Sequence, residues 1–227
     1  MTRWNDTRFR LERFTELGMA IRRRRASTPV ARGHVVWIHG LGESGLCFEA
    51  AISDPRLAAW HHVVPDLLGY GKSIWPEVAL GLEQHAAGLD LLLDRLQIDS
   101  VVLVGHSMGG VIGTYLADRR RRRVRALVNV EGNISPADCT FSRVASGTTL
   151  DAFLDGVYDR ALDDLYASVA AAEEPDDGPR ERASVIRGYG ASLQQCDPRT
   201  LHRNSADLVA VSDREQLAAQ LAALDTV

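Results

Sequence analysis

The residues best placed to do chemistry are Gly105-His106-Ser107-Met108-Gly109-Gly110, which follow the valine-rich run Val101 to Val104. Glycines two before and two after a serine, with a strand ahead and a helix behind, make the G-x-S-x-G nucleophile elbow. The spacing has a steric origin. In a sharp strand-to-helix turn the backbone at Gly105 closes on that at Gly109, and a β-carbon at either position would strike neighbouring main chain. Ser107 then stands at the apex with its hydroxyl clear of the sheet. The Met108 N–H opens the following helix, where unpaired donors and the positive dipole end favour an oxyanion. Such a serine is suited to attack on an electrophilic carbon, with charge collecting on an oxygen beside the helix start.

Two other glycine-rich stretches invite a functional reading. Gly40-Leu41-Gly42-Glu43-Ser44-Gly45 matches G-x-G-x-x-G after the apolar run His34 to His39, and Asp66 stands at the end of the following strand. A dinucleotide site wants an acidic residue about 20 positions on, so an NAD(P)-dependent enzyme using the Gly40 to Gly45 loop is one alternative. Against it, the run opens on His39-Gly40, a common opening for an oxyanion loop, and the downstream elbow would be a coincidence. Gly71-Lys72-Ser73 has the ending of a nucleotide-phosphate loop, but the leading glycine would fall at Asp66, which excludes it.

These stretches need elements to position them. Alternating patches within Met1 to Arg32 suggest a strand pair. His34 to His39, His62 to Pro65, Val101 to Val104 and Ala126 to Val130 are short apolar runs that read as strands. Between them, a helix is expected to about Ala51, and another over Gly81 to Leu96, with Leu82, His85, Leu89, Leu92, Leu93 and Leu96 on one stripe. The elbow helix follows, to about Arg123. Strands alternating with helices imply an α/β fold with a doubly wound, mostly parallel sheet. From Ser135 the pattern turns helical. Helices are expected over Leu150 to Ala172, Arg180 to Leu193, Pro198 to Val211 and Arg214 to Leu224, with an acidic loop from Glu173 to Pro179. Leu208 to Val211 is the one later run with strand character. The division is therefore a core over 1–133, a helical cap over 134–213 and a return helix over 214–227.

The composition is that of a soluble protein: 227 residues, 45% hydrophobic, 25% charged, formal net charge −4. That balance gives no reason to expect nucleic acid or an anionic membrane as partner. The arginine runs Arg22 to Arg25 and Arg119 to Arg123 read as a solvated strand end and a helix terminus whose cations complement the dipole. No apolar run approaches the ~20 residues of a membrane span, and the polar N-terminus carries no signal peptide. Cys47, Cys139 and Cys196 are odd in number and widely spaced, which points to a reduced, cytoplasmic, metal-free protein without an organic cofactor.

Taken together, His39-Gly40-Leu41-Gly42, Asp66-x-x-Gly69-x-Gly71-x-Ser73 and Gly105-His106-Ser107-Met108-Gly109-Gly110 resemble the α/β-hydrolase superfamily, in its cap-bearing esterase, lipase and peptidase-like branch. The resemblance is close over about Val35 to Asn133. It implies that Ser107 is the nucleophile and that the backbone N–H groups of Leu41 and Met108 form the oxyanion hole. Glu131, one strand after the elbow, is either the catalytic acid or a hinge glutamate. Asp66 is expected to shape its loop. The family places its catalytic histidine after the last strand. Here the sequence stops at Val227, just after a helix, so the resemblance implies a sheet incomplete at the C-terminus and no histidine region. Of the histidines only His202 follows Ser107, in a cap-helix setting, and the family uses neither His39 nor His106 as base.

The implied function is a serine hydrolase that cleaves ester-type or related acyl bonds of a small, fairly apolar substrate through a Ser107 acyl-enzyme. It would be impaired by the missing base. The alternative is a non-catalytic, hydrolase-like binding protein or an inactive shortened gene product. The strand Ala126 to Val130, lacking an outer neighbour, would also offer an edge for self-association.

Overall fold

The structure is a computed structural model that describes residues 10–14, 17–160, 163, 164, 167 and 188–224. Six strands form one sheet: β1 (Arg10–Phe14), β2 (Met19–Arg24), β3 (Gly33–Ile38), β4 (Trp60–Pro65), β5 (Val101–His106) and β6 (Val124–Val130), in the order β1-β2-β4-β3-β5-β6. The last four are parallel, and β1 and β2 add an antiparallel pair at one edge, as the alternating N-terminal patches predict.

Side chains alternate between the two faces of the sheet, and each face has its own cover. On one, Val36, Ile38, Val63 and Leu103 pack under α2 (Leu82–Arg95) and α3 (Met108–Arg119), with Leu89, Leu92, Val111 and Leu116 in the same core. On the other, Val35, Trp37 and Val64 pack against Phe48 and against Ile52 of α1 (Glu49–Ser53), with Val102 and Val104 partly buried beside them. Burial on both faces is why these strands read as near-continuous apolar runs rather than alternating ones. The expected doubly wound, mostly parallel sheet is therefore present.

After β6 the described chain is helical: α4 (Thr140–Ser146), a turn at Leu150–Ala152, residues 188–193, α5 (Pro198–Asp213) and α6 (Gln216–Ala222). α5 starts where it does because the buried Asp197 side chain accepts from Arg199 N–H and Pro198 supplies a preset φ at the first helical position. It packs on α4 and α2, and α6 packs on α3.

Three expectations change. The first is at the run Arg22 to Arg25, read as a solvated strand end: Arg22 and Arg24 are buried within β2, because Arg22 pairs with Asp66 and Arg24 donates to Ile52 O. Leu208 to Val211 lies inside α5, with Leu208 and Val211 buried, because an apolar run this short does not distinguish strand from helix. The helix expected from Leu150 is broken at Asp155 and Gly156, where Gly156 takes φ 109°, a conformation glycine adopts freely. α4 carries no sequence stripe that announces it. The Glu173 to Pro179 loop, most of the second half of the helix expected over Leu150 to Ala172, and residues 180–187 of the helix expected over Arg180 to Leu193 lie outside the described residues. No helix among the described residues is long and apolar enough to cross a membrane.

Candidate active site

Sheet register brings the site together. β3 pairs with β5 through Ile38 and Gly105, and β5 with β6 through His106 and Val130. The residues just past these pairs, from His39 onward, Ser107 and Glu131, therefore emerge side by side at the carboxyl edge of the sheet, where ligands bind in open α/β folds. The Ser107 N–H donates to Val130 O at 2.9 Å, which extends the ladder to the elbow itself.

At the apex Ser107 has φ 50° and ψ −119°, a strained conformation for a non-glycine residue. A β-carbon on Gly105 would run into the Gly109 carbonyl, and one on Gly109 into the Ile38 carbonyl. The elbow is thus possible only with glycine at both positions. The Met108 N–H is the first of α3, a position without an intrahelical acceptor. Across the gap, Leu41 follows Gly40 in a loop whose Gly42 has φ 75°, and Tyr189 Oη donates to Leu41 O at 3.1 Å.

A cavity of about 160 Å³ opens between these segments, with Ser107, Leu41, Phe141 and Leu208 among its lining residues. Ser107 Oγ donates to Asn133 Oδ1 at 3.3 Å. Asn133 is buried, and its Nδ2 donates to Asp138 O at 2.9 Å, which fixes the amide so that its oxygen faces the serine. Among the described residues no imidazole is hydrogen-bonded to Ser107.

Two histidines beside the elbow have different employment. His39 is fully buried and bridges loops: Nδ1–H donates to Gly40 O at 2.9 Å, and Nε2 accepts the Leu67 N–H at 3.0 Å. Burial lowers its pKa and holds it neutral. His106 is half-exposed, and its Nδ1 lies 2.8 Å from Glu43 Oε2. The bond to Glu43 raises the His106 pKa against the opposing effect of burial. Burial would raise the Glu43 carboxyl, but the bonds from His106 and the Gly40 N–H outweigh it and hold the group low.

A family model described as the alpha/beta hydrolase fold matches residues 33–184. The chain belongs to the α/β-hydrolase fold family. It is 37% identical over 106 residues to lipase LipV of Mycobacterium tuberculosis, an overlap of 44% of this chain and 37% of the lipase. A haloalkane dehalogenase of Mesorhizobium japonicum is 35% identical over 98 residues, 43% of this chain and 31% of that one. The matched segment thus spans about a third of the length of these curated relatives. A hydrolase from Pseudomonas aeruginosa superposes with TM-score 0.66 at 19% identity, covering 97% of this chain and 78% of that one. An esterase from Exiguobacterium antarcticum gives TM-score 0.61 at 18% identity, covering 84% and 69%.

Within this α/β-hydrolase, the sequence-derived residues fall as follows. Ser107 and Leu41 line the cavity, whereas the Met108 side chain is fully buried in the core and only its position as the first residue of α3 places its backbone next to Ser107. Glu131 sits at the end of β6 with φ 50°, its side chain 86% exposed and its Oε2 3.9 Å from His106 Nε2. His202 lies elsewhere, its Nε2 2.9 Å from Thr148 O and its ring against Phe153. Asp66 is fully buried: Oδ1 accepts from Arg22 and Gly45 N–H, Oδ2 from Lys72 N–H. It shapes two loops and presents no free oxygen to a ribose, which removes the physical basis of a dinucleotide site. Glu43, Asn133 and Tyr189 were missed as site residues. For Glu43 the sequence holds a faint signal, a carboxylate three residues beyond the glycine whose N–H it binds. For the other two it holds none.

Proposed function

We propose that this α/β-hydrolase cleaves ester-type or related acyl bonds of a small, fairly apolar substrate, with Ser107 as nucleophile. The observation that carries the proposal is a strained serine at a strand-to-helix apex, facing a cavity that Leu41 also lines, with Met108 opening the helix directly behind the serine. In the mechanism, Ser107 Oγ attacks the acyl carbon. The carbonyl oxygen gathers charge between the Leu41 and Met108 N–H groups. The serine proton passes through solvent to the leaving oxygen, so that the bond to the acyl carbon breaks and the alcohol departs. Water then hydrolyses the acyl-serine to the free acid and Ser107. Glu131, the acid the resemblance offers one strand beyond the nucleophile, is 86% exposed with His106 as its nearest imidazole, so it orients no base at Ser107 and takes no step in this mechanism. The cavity volume and the apolar side chains of Leu41, Phe141 and Leu208 support a short acyl group.

Asn133 orients the serine hydroxyl, but an amide oxygen does not take its proton. With only the described residues, turnover rests on the oxyanion hole and binding, which by themselves leave about 10³–10⁴-fold acceleration over water. The test is covalent labelling by a fluorophosphonate probe followed by peptide mass spectrometry, beside p-nitrophenyl butyrate hydrolysis. Label on Ser107, lost in Ser107→Ala, supports the proposal. The Asn133 contact favours a second reading, a hydrolase-like binding protein. Saturable binding of the ester without hydrolysis or labelling would establish it.

A further inference from the structure

The two halves of the oxyanion hole come from chain segments far apart in sequence, one after β3 and one after β5. Parallel pairing between those strands ends at Ile38 and Gly105. Beyond that point the gap between Leu41 and Met108 is set by whatever ties the two loops to each other. Glu43 Oε2 makes that tie. It accepts the Gly40 N–H at 2.7 Å and lies 2.8 Å from His106 Nδ1, across 63 residues of sequence. Gly40 precedes one oxyanion donor, and His106 stands two residues before the other. The Glu43 N–H returns a bond to Gly40 O at 3.3 Å, closing the turn from both sides.

The packing leaves little slack. A β-carbon on Gly40 would lie 2.8 Å from Glu43 Oε2, 3.0 Å from His106 Nδ1 and 3.2 Å from the Ser107 β-carbon, so the carboxylate, the imidazole and the nucleophile all press on one glycine. On the far side of the loop Tyr189 Oη holds Leu41 O. Glu43 is mostly shielded from water, where a charge-assisted hydrogen bond is stronger than at an open surface. We propose that Glu43 is a positioning residue that clamps the Gly40–Leu41 loop to the elbow and so sets the width of the oxyanion hole. The catalytic part of this rests on the Ser107 hydrolase reading. The clamp itself does not.

The experiment therefore has two arms on the full chain. In the first, amide hydrogen exchange is followed by NMR for wild type, Glu43→Ala and Glu43→Gln. The Gly40 amide is expected to exchange at least about tenfold faster in the alanine variant, with Leu103 in β5 unchanged, and to regain protection in the glutamine variant, whose amide oxygen still accepts. In the second, fluorophosphonate labelling is resolved into its maximal rate and its half-saturation concentration. Glu43→Ala should lower the maximal rate about tenfold to a hundredfold with half-saturation little changed, and Glu43→Gln should recover part of it. A purely structural loss would instead lower the labelled fraction at an unaltered rate. Unchanged Gly40 exchange overturns the clamp, and so does faster exchange with a maximal rate within about twofold of wild type. If wild type is not labelled at all, the Ser107 reading fails, and the exchange arm still decides the clamp.

Discussion

Removing the Asp66 carboxylate should be the most damaging single change outside the hydrophobic core. Arg22 and Asp66 form an ion pair at 2.5 Å with side chains 8% and 0% exposed. The same carboxylate caps the Gly45 and Lys72 N–H groups. Arg22 Nε has no hydrogen-bond partner, so its charge depends on Asp66 for compensation. In Asp66→Ala a guanidinium remains buried without its counter-ion, a situation that costs about 3–5 kcal/mol. For a chain of this size each kcal/mol moves the midpoint about 2–4 °C, which predicts a fall of about 6–20 °C in thermal unfolding followed by circular dichroism. Asp66→Asn should fall less, since it keeps one acceptor. The control is Arg56→Ala, which breaks the exposed ion pair with Asp54 while keeping the Asp54 cap on the residue 56 N–H, and should leave the melt where it is. An Asp66→Ala midpoint within about 2 °C of wild type would refute the reasoning, because it would mean that water or rearrangement compensates Arg22 without cost.

His85 is buried with Nε2 3.1 Å from Asn204 Oδ1, and burial pulls its pKa down to about 4. The unfolded chain therefore takes up the proton first, so this histidine's stabilisation is present above pH 6.5 and lost as pH falls towards 4, by order ~3 kcal/mol. Urea midpoints at pH 7 and pH 4.5 should show the loss in wild type and a smaller one in His85→Leu. Gly109→Ala puts a methyl group into the Ile38 carbonyl; it should cost about 1–3 kcal/mol or more and abolish Ser107 labelling. Val128 and Val130 on the outermost strand β6 are 48% and 41% exposed. We expect concentration-dependent self-association through that edge, read by size-exclusion chromatography and reduced by Val128→Lys. A profile unchanged by that substitution would move any association to another surface.

The elbow was legible because its constraint is local. Gly105 and Gly109 meet within one turn of chain, and the collision that excludes a side chain can be argued from spacing alone. The sheet was legible for a related reason: strands covered by helices on both faces must be apolar throughout, and Val35–Ile38 and Val101–Val104 are. Helix α2 announced itself through its stripe from Leu82 to Leu96, of which Leu82, His85, Leu89, Leu92 and Leu93 are buried and Leu96 partly so. The helices after β6 were less readable. Their boundaries depend on packing between α4 and α5 and on a break at Gly156, and propensity yields to such contacts.

By itself, then, the sequence determined the strand-alternating core, the turn that presents Ser107 and the two loops that face it. Only the tertiary structure decided who touches whom there. The serine hydroxyl goes to Asn133, His106 to Glu43, Asp66 to Arg22, and Leu41 O to Tyr189. The last three pairs are separated by 63, 44 and 148 residues. The physical reason is that a hydrogen bond needs its partners placed to a few tenths of an ångström. Over such separations that placement comes from the register of β3, β5 and β6 and from the helices packed on them, which no local pattern of residues encodes.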